Sequence, residues 1–276
     1  DAAVVLHDPG PGPAKLTAYV VPAVASDAAQ APGAAFWPSL GAYGLYDEFL
    51  YGLMHAEPRR LAAFREVLAR TVPGRTVLDL GTGRDALLAR LAVDAGARHV
   101  YAVEVQPDAA RDAAALVAAL GLGNRITVLA GDIATLALPE PVDACLQGIV
   151  GNIGSADGVV GAWRAARRHF APGCVPLPAR CTTRVAPVEL PAALRATPRF
   201  AAPALRYVRT LRGPAGRADL RLCVHGVGRD ALLAGPAVFE TLDFRGELPD
   251  AHAGGARFTA TRSAQVDGFL LWTELA

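Results

Sequence analysis

The chain has 276 residues, 52% of them hydrophobic and 19% charged, enough to bury one substantial core and a smaller one. Its 27 Lys and Arg against 26 Asp and Glu leave a formal charge of +1, which removes the electrostatic footprint of a nucleic-acid binder. No apolar run reaches the length of a membrane-spanning helix, and the N-terminus lacks the basic-then-apolar pattern of a signal peptide.

In chain order, apolar alternation on either side of a Pro/Gly turn predicts an antiparallel hairpin over residues 1–23. Residues 24–35 are rich in Ala, Ser, Pro and Gly and read as a linker. Phe36-Trp37-Pro38 opens the next domain, residues 36–178, with a helix expected over 59–70, ahead of Pro73-Gly74. A buried strand over 77–80 runs into a glycine-rich turn and a helix over 85–95. A strand over 99–103 ends in Glu104, and a helix over 107–120 follows it. Strands over 126–129, leading to Gly131-Asp132, and over 142–146 complete the run. Strands alternating with helices predict an α/β fold with a Rossmann-like parallel sheet, whose ligands sit at the carboxyl ends of the strands. A helix over 159–170 is expected to stop at Pro172-Gly173. Residues 179–276 change character: short strands over 182–188, 205–211, 220–227, 237–244, 258–266 and 269–275, parted by Gly/Pro turns, predict an appended antiparallel β-rich domain. Four cysteines, Cys145, Cys174, Cys181 and Cys223, form no C-x-x-C pair and have no histidine at ligand spacing, so free thiols, a reducing cytoplasmic compartment and no metal site are expected.

The chemistry concentrates in Val77-Leu78-Asp79-Leu80-Gly81-Thr82-Gly83. Gly81 and Gly83 let backbone come close to a ligand, and the helix that follows offers unpaired N–H groups. Asp79 is suited to organising the loop and meeting a cofactor's ammonium. Glu104, at the end of the second strand, is placed to accept two ribose hydroxyls, and Asp132 to accept from an adenine amino group or to cap the next segment. Ala86 stands where a dinucleotide fingerprint would have its third glycine, so the loop alone leaves a nicotinamide or flavin cofactor open.

The order DLGTGRDALLARLA, AGARHVYAVE, ITVLAGDIATLALPEPVDA and FAPGCVPLPAR resembles class I S-adenosylmethionine methyltransferases, and among them the protein arginine methyltransferase-like branch. Two stretches, Tyr46 to Met54 and Arg59 to Arg65, resemble that branch's N-terminal helices, which fold over the cofactor. The resemblance implies that Met54 lies against the reactive methyl and Arg60 holds the methionine carboxylate. Gly268-Phe269-Leu270-Leu271-Trp272 resembles the G-F-x-x-W strand of its β-rich substrate domain. The branch clamps a guanidinium between two glutamates. Here Gly148 stands in the place of the first, and the T-H-W loop is not found, so arginine is a poor substrate expectation.

Ala2-Ala3-Val4-Val5-Leu6-His7-Asp8 and Lys15-Leu16-Thr17-Ala18-Tyr19-Val20-Val21-Pro22 resemble the C-terminal subdomain of a nonribosomal peptide synthetase adenylation domain, a family in which methyltransferase domains interrupt adenylation domains. The two resemblances imply a tailoring methyltransferase that uses S-adenosyl-L-methionine. Its partners would be a carrier protein bearing a phosphopantetheinyl aminoacyl thioester and the flanking adenylation domain; neither nucleic acid nor membrane is expected. Side-chain O-methylation is the expected reaction, with backbone N-methylation and a non-catalytic cofactor-binding module as alternatives. A hydroxyl needs a base as it attacks. His55, Asp47 and Asp157 are the candidates for that role, with His55 closest in ordinary pKa. Tyr46, Tyr51, Gln147 and Asn152 are the expected substrate-binding residues, with Glu48 nearby.

Overall fold

The structure is a computed structural model, described here for residues 2–7, 15–20, 35–39, 58–151, 153–196, 221–225, 227–249 and 255–276. Two compact units divide the chain. One comprises residues 1–45, 185–237 and 255–271; the other comprises residues 46–184, 238–254 and 272–276.

In the first unit, β1 (Ala2–His7) pairs antiparallel with β2 (Lys15–Val20), in register from Ala2 opposite Val20 to His7 opposite Lys15. There too β3 (Ala35–Ser39) pairs antiparallel with a later strand, β10 (Arg221–His225).

The second unit carries a five-stranded parallel sheet. Helix α1 (Pro58–Thr71) precedes β4 (Thr76–Leu80), and α2 (Leu87–Asp94), β5 (His99–Glu104), α3 (Pro107–Ala119), β6 (Ile126–Ala130), β7 (Val142–Gln147), α4 (Val159–Ala166) and β8 (Phe170–Leu177) follow. The strand order is β6-β5-β4-β7-β8. The three central strands, β5, β4 and β7, are nearly continuous in burial, as expected where both faces of a sheet are covered, whereas the edge strands β6 and β8 are partly exposed. On one face Val77, Val100, Ala102, Ala144 and Leu146 pack with Leu68 and Val72 at the end of α1, with α2, and with Ala113 and Val117 of α3. On the other, Leu78, Leu80, Val103 and Cys145 pack with Val159 and Trp163 of α4 and with Leu242 and Phe244. That alternation follows from the two-residue period of a strand.

The amino ends of the strands are closed by polar bonds. Asp143 accepts the Thr76 N–H at 2.9 Å, and Arg98 pairs with Glu140 at 2.8 Å and also donates to the Thr76 hydroxyl. Order reverses between β4 and β7, so the crevice that such a sheet offers a ligand opens at their carboxyl ends.

Two expectations are corrected here. The α-helix predicted over 159–170 ends at Ala166 and tightens into a 3₁₀ turn over Arg167–His169, and Phe170 begins β8. Its ring packs 4.9 Å from that of Trp163, and Pro172 and Gly173 lie within β8 at a register shift against β7. The α2 helix starts at Leu87 rather than 85 because Ala86 adopts a left-handed conformation with φ 44° and ψ 42°.

The remaining strands include β9 (Arg180–Val188), β11 (Ala237–Asp243) and β12 (Gly268–Leu275), in the order β11-β9-β12. Helix α5 (Ala192–Ala196) is little more than one turn. The strand expected over 258–266 is absent. Alternation in that segment suggests a strand, but its backbone bond is the Thr261 N–H to the Leu233 carbonyl at 2.8 Å, and no ladder forms. The strand expected over 205–211 lies outside the described residues.

Candidate active site

The crevice is built from the loop after β4, the end of β5 and the loop after β7. Gly81 and Gly83 have φ of 70° and 68°, values that L side chains rarely adopt. The turn they allow is clipped to β5, because the Gly81 and Thr82 N–H groups both donate to the Val103 carbonyl, at 2.9 and 3.0 Å.

Asp79 is fully buried. Its Oδ2 accepts the Thr82 hydroxyl at 2.7 Å, and its Oδ1 has no hydrogen-bond partner in the protein. Burial pushes its pKa from 3.8 up to about 6, against the Thr82 hydrogen bond and the weaker pull of the nearby Ala89 N–H, which makes no hydrogen bond within normal geometry, with Glu104 adding to the rise. An orphaned carboxylate oxygen at the crevice is a costly arrangement that a cationic ligand group would relieve. Glu104 is also buried. Its Oε2 accepts the Gly83 N–H and its Oε1 the Gln106 N–H, both at 2.9 Å. Each oxygen keeps a second lone pair, so a ribose diol still finds two acceptors. An ammonium for Asp79 and a diol for Glu104 are what S-adenosylmethionine presents, and the donor set fits it.

Asp132 is exposed, and its Oδ1 accepts the Ala134 N–H at 2.8 Å. Through that bond it caps the turn after β6, which is one of its two expected roles and leaves the other open. Arg60 lies on α1, half-buried, with its guanidinium 5.5 Å from the centroid of the Phe64 ring.

Strand β7 ends at Gln147, which is buried, with Nε2 donating to the Pro178 carbonyl at 3.3 Å and Oε1 unpartnered. The Gly148 N–H donates to the Leu80 carbonyl at 3.3 Å, and Ile149 folds over Gly81, where a Cβ would overlap its Cγ2. Asp157 turns its carboxylate toward Gly151, so that a Cβ there would lie 2.8 Å from Oδ2. Tyr46, Asp47, Glu48, Tyr51, Met54, His55 and Asn152 lie outside the described residues. The motifs did not single out Thr82, Ile149, Thr183 or Glu240. Only Thr82, inside the glycine loop and three residues after Asp79, carried a sequence signal. Burial pushes the Cys145 thiol well above its ordinary value and those of Cys174 and Cys181 up to about 12, which suits inert packing.

Residues 77–173 match the family model described as a methyltransferase domain. Among curated relatives, a probable protein arginine N-methyltransferase 6 of Arabidopsis thaliana is 29% identical over 158 residues, 57% of this chain and 35% of that protein. Protein arginine N-methyltransferase 6 of Xenopus laevis is 25% identical over 248 residues, 82% of this chain and 69% of that one. The first of these alignments spans about a third of the relative's length. Among solved structures, the Trypanosoma brucei PRMT1 enzyme-prozyme complex with AdoHcy superposes with a TM-score of 0.57 at 19% identity, covering 73% of this chain and 63% of that one. Arabidopsis thaliana protein arginine methyltransferase 10 gives 0.55 at 22% identity, covering 72% and 63%. The fold is the one these methyltransferase structures share. The matched span, residues 77–173, is therefore similar to a methyltransferase domain, and the cradle of Asp79 and Glu104 within it offers the acceptors that S-adenosylmethionine needs.

Proposed function

We propose that the chain methylates a side-chain hydroxyl of an aminoacyl group held as a thioester on a carrier protein, as a tailoring domain of a nonribosomal peptide synthetase. The observation that carries the acceptor choice is Gly148. A Cβ at that position would lie 3.2 Å from the Gly81 carbonyl, tighter than an ordinary contact, so the backbone itself leaves little room for the first of two clamping glutamates. Without that carboxylate a guanidinium loses its bidentate partner. The synthetase setting rests on the resemblance of the N-terminal hairpin, whose β1–β2 pairing agrees with it.

Bound S-adenosylmethionine supplies a methyl already activated on a sulfonium. The protein's own task is alignment: Glu104 and Asp79 hold the two ends of the cofactor, and the loop after β7 holds the acceptor and excludes water. His55 takes the acceptor proton, with Asp47 and Asp157 as the other candidates, and the Gln147 amide oxygen is left to accept a hydrogen bond from the aminoacyl group. Arginine methylation is the second reading, favoured by the names of the relatives.

The test is mass spectrometry of seryl-, threonyl- and tyrosyl-loaded carrier protein after incubation with the domain and S-adenosylmethionine, with fragmentation to locate the methyl. A methyl on the side-chain oxygen supports the proposal. A methyl on the amide-forming nitrogen replaces it with N-methylation, and methylation of arginine peptides alone overturns it.

A further inference from the structure

A buried carboxylate outside the cofactor cradle fastens the loop that follows β7. Glu240 on β11 is only 4% exposed. Its Oε1 accepts the Ser155 N–H at 2.9 Å and the Thr183 hydroxyl at 3.0 Å, and its Oε2 accepts the Ser155 hydroxyl at 2.7 Å. The Thr183 oxygen in turn accepts the Gly154 N–H at 3.0 Å. The close approach depends on Gly154: a Cβ there would lie 2.8 Å from Cys181 Sγ and 3.1 Å from Glu240 Oε1.

A carboxylate taken out of water is tolerated only while its lone pairs are filled, and hydrogen bonds to it are stronger than neutral ones. Two of the three donors belong to Ser155, so the cheapest way to keep Glu240 satisfied is to hold that residue still. Seven residues upstream the same loop is bonded to β4 through the Gly148 N–H, with Ile149 against Gly81. The segment between these two anchors contains Gly151 and ends close to Asp157. Both its attachments are therefore made to strands of the unit that carries the crevice.

We infer that Glu240 is the positioning residue of the acceptor side: it acts through Ser155 and Thr183 to fix the loop over 148–158, and so the place of Asp157. The inference rests on the proposed reading that this loop receives the acceptor. Three measurements on the full chain test it: hydrogen exchange of peptides covering 151–158, calorimetric affinity for S-adenosylmethionine, and kcat and KM with the loaded carrier.

In Glu240→Ala the loop amides should exchange roughly tenfold faster or more, and kcat/KM should fall by a similar factor. Cofactor affinity should stay within about twofold, because the hydrogen bonds that set Asp79 and Glu104 are untouched. Glu240→Gln keeps one acceptor oxygen for Ser155 and Thr183 and should recover most of both losses, which a need for the charge itself would not allow. Ser155→Ala removes one donor only and should give an intermediate exchange rate; if Glu240→Ala does not fold, this variant carries the test. Unchanged exchange in the folded variants, or cofactor affinity falling in step with kcat/KM, would overturn the assignment. Faster loop exchange in a protein that methylates no loaded carrier would leave the anchor standing and remove the proposed substrate instead.

Discussion

Asp79 is the residue at which fold and ligand make opposite demands. A carboxyl group raised from 3.8 to about 6 by burial binds its proton more tightly folded than unfolded. Below pH 3.8 both states are protonated and the penalty vanishes; it grows as the unfolded chain ionises and is complete above pH 6, where it amounts to about 3 kcal/mol. Asp79→Asn should therefore stabilise the ligand-free protein by about 1–3 kcal/mol at pH 8 and have little effect at pH 4. Denaturant unfolding at the two pH values measures it, and an equal effect at both would refute the reasoning. The same variant should lose cofactor affinity, since the ammonium no longer meets a charge. Glu104 is different, because its oxygens also hold the Gly83 and Gln106 N–H groups. Glu104→Gln turns one acceptor into a donor facing an N–H. It should cost about 1–3 kcal/mol in S-adenosylmethionine binding and lower the melting temperature as well. Calorimetry returning wild-type affinity would remove Glu104 from the site.

At the scale of elements, the parallel sheet was legible because each buried strand is short, apolar and followed by a helix-period segment. What escaped the sequence was decided by tertiary contact or by a single backbone angle. Ala86, read as a tolerated alanine, turns out to hold a left-handed conformation and delays α2 by two residues. Phe170 continues a helical pattern yet begins β8 after a 3₁₀ turn, where it pairs beside Val142 of β7. Alternation over 258–266 had no strand to pair with beyond one bond at Thr261. Gly81 was read as room for a ligand, and the structure adds a second reason, its contact with Ile149. Gly81→Ala should destabilise the fold by about 1–3 kcal/mol through φ and overlap together. Adding Ile149→Ala should return the overlap part and leave the backbone part. A double-mutant cycle by urea denaturation reads the coupling; strictly additive effects would mean that Ile149 is not what crowds Gly81.

For the molecule as a whole, the cradle proposed for the cofactor was legible as geometry because it is local: Asp79, Gly81, Gly83 and Glu104 fall within one strand-loop-helix-strand unit. The acceptor half was not, since Glu240 and Thr183 reach the loop after β7 from strands far along the chain and belong to no motif. No helix among the described residues is long and apolar enough to cross a membrane. We propose that this crevice takes a carrier-bound hydroxyl, where relatives of similar fold are named for arginine. It is tested most directly by offering methyl-labelled S-adenosylmethionine with hydroxyl-bearing aminoacyl carrier protein and an arginine-rich peptide in one reaction. Label on the side-chain oxygen of the carrier-bound residue, with the peptide unlabelled, is the predicted result; label on the peptide with the carrier blank would contradict it.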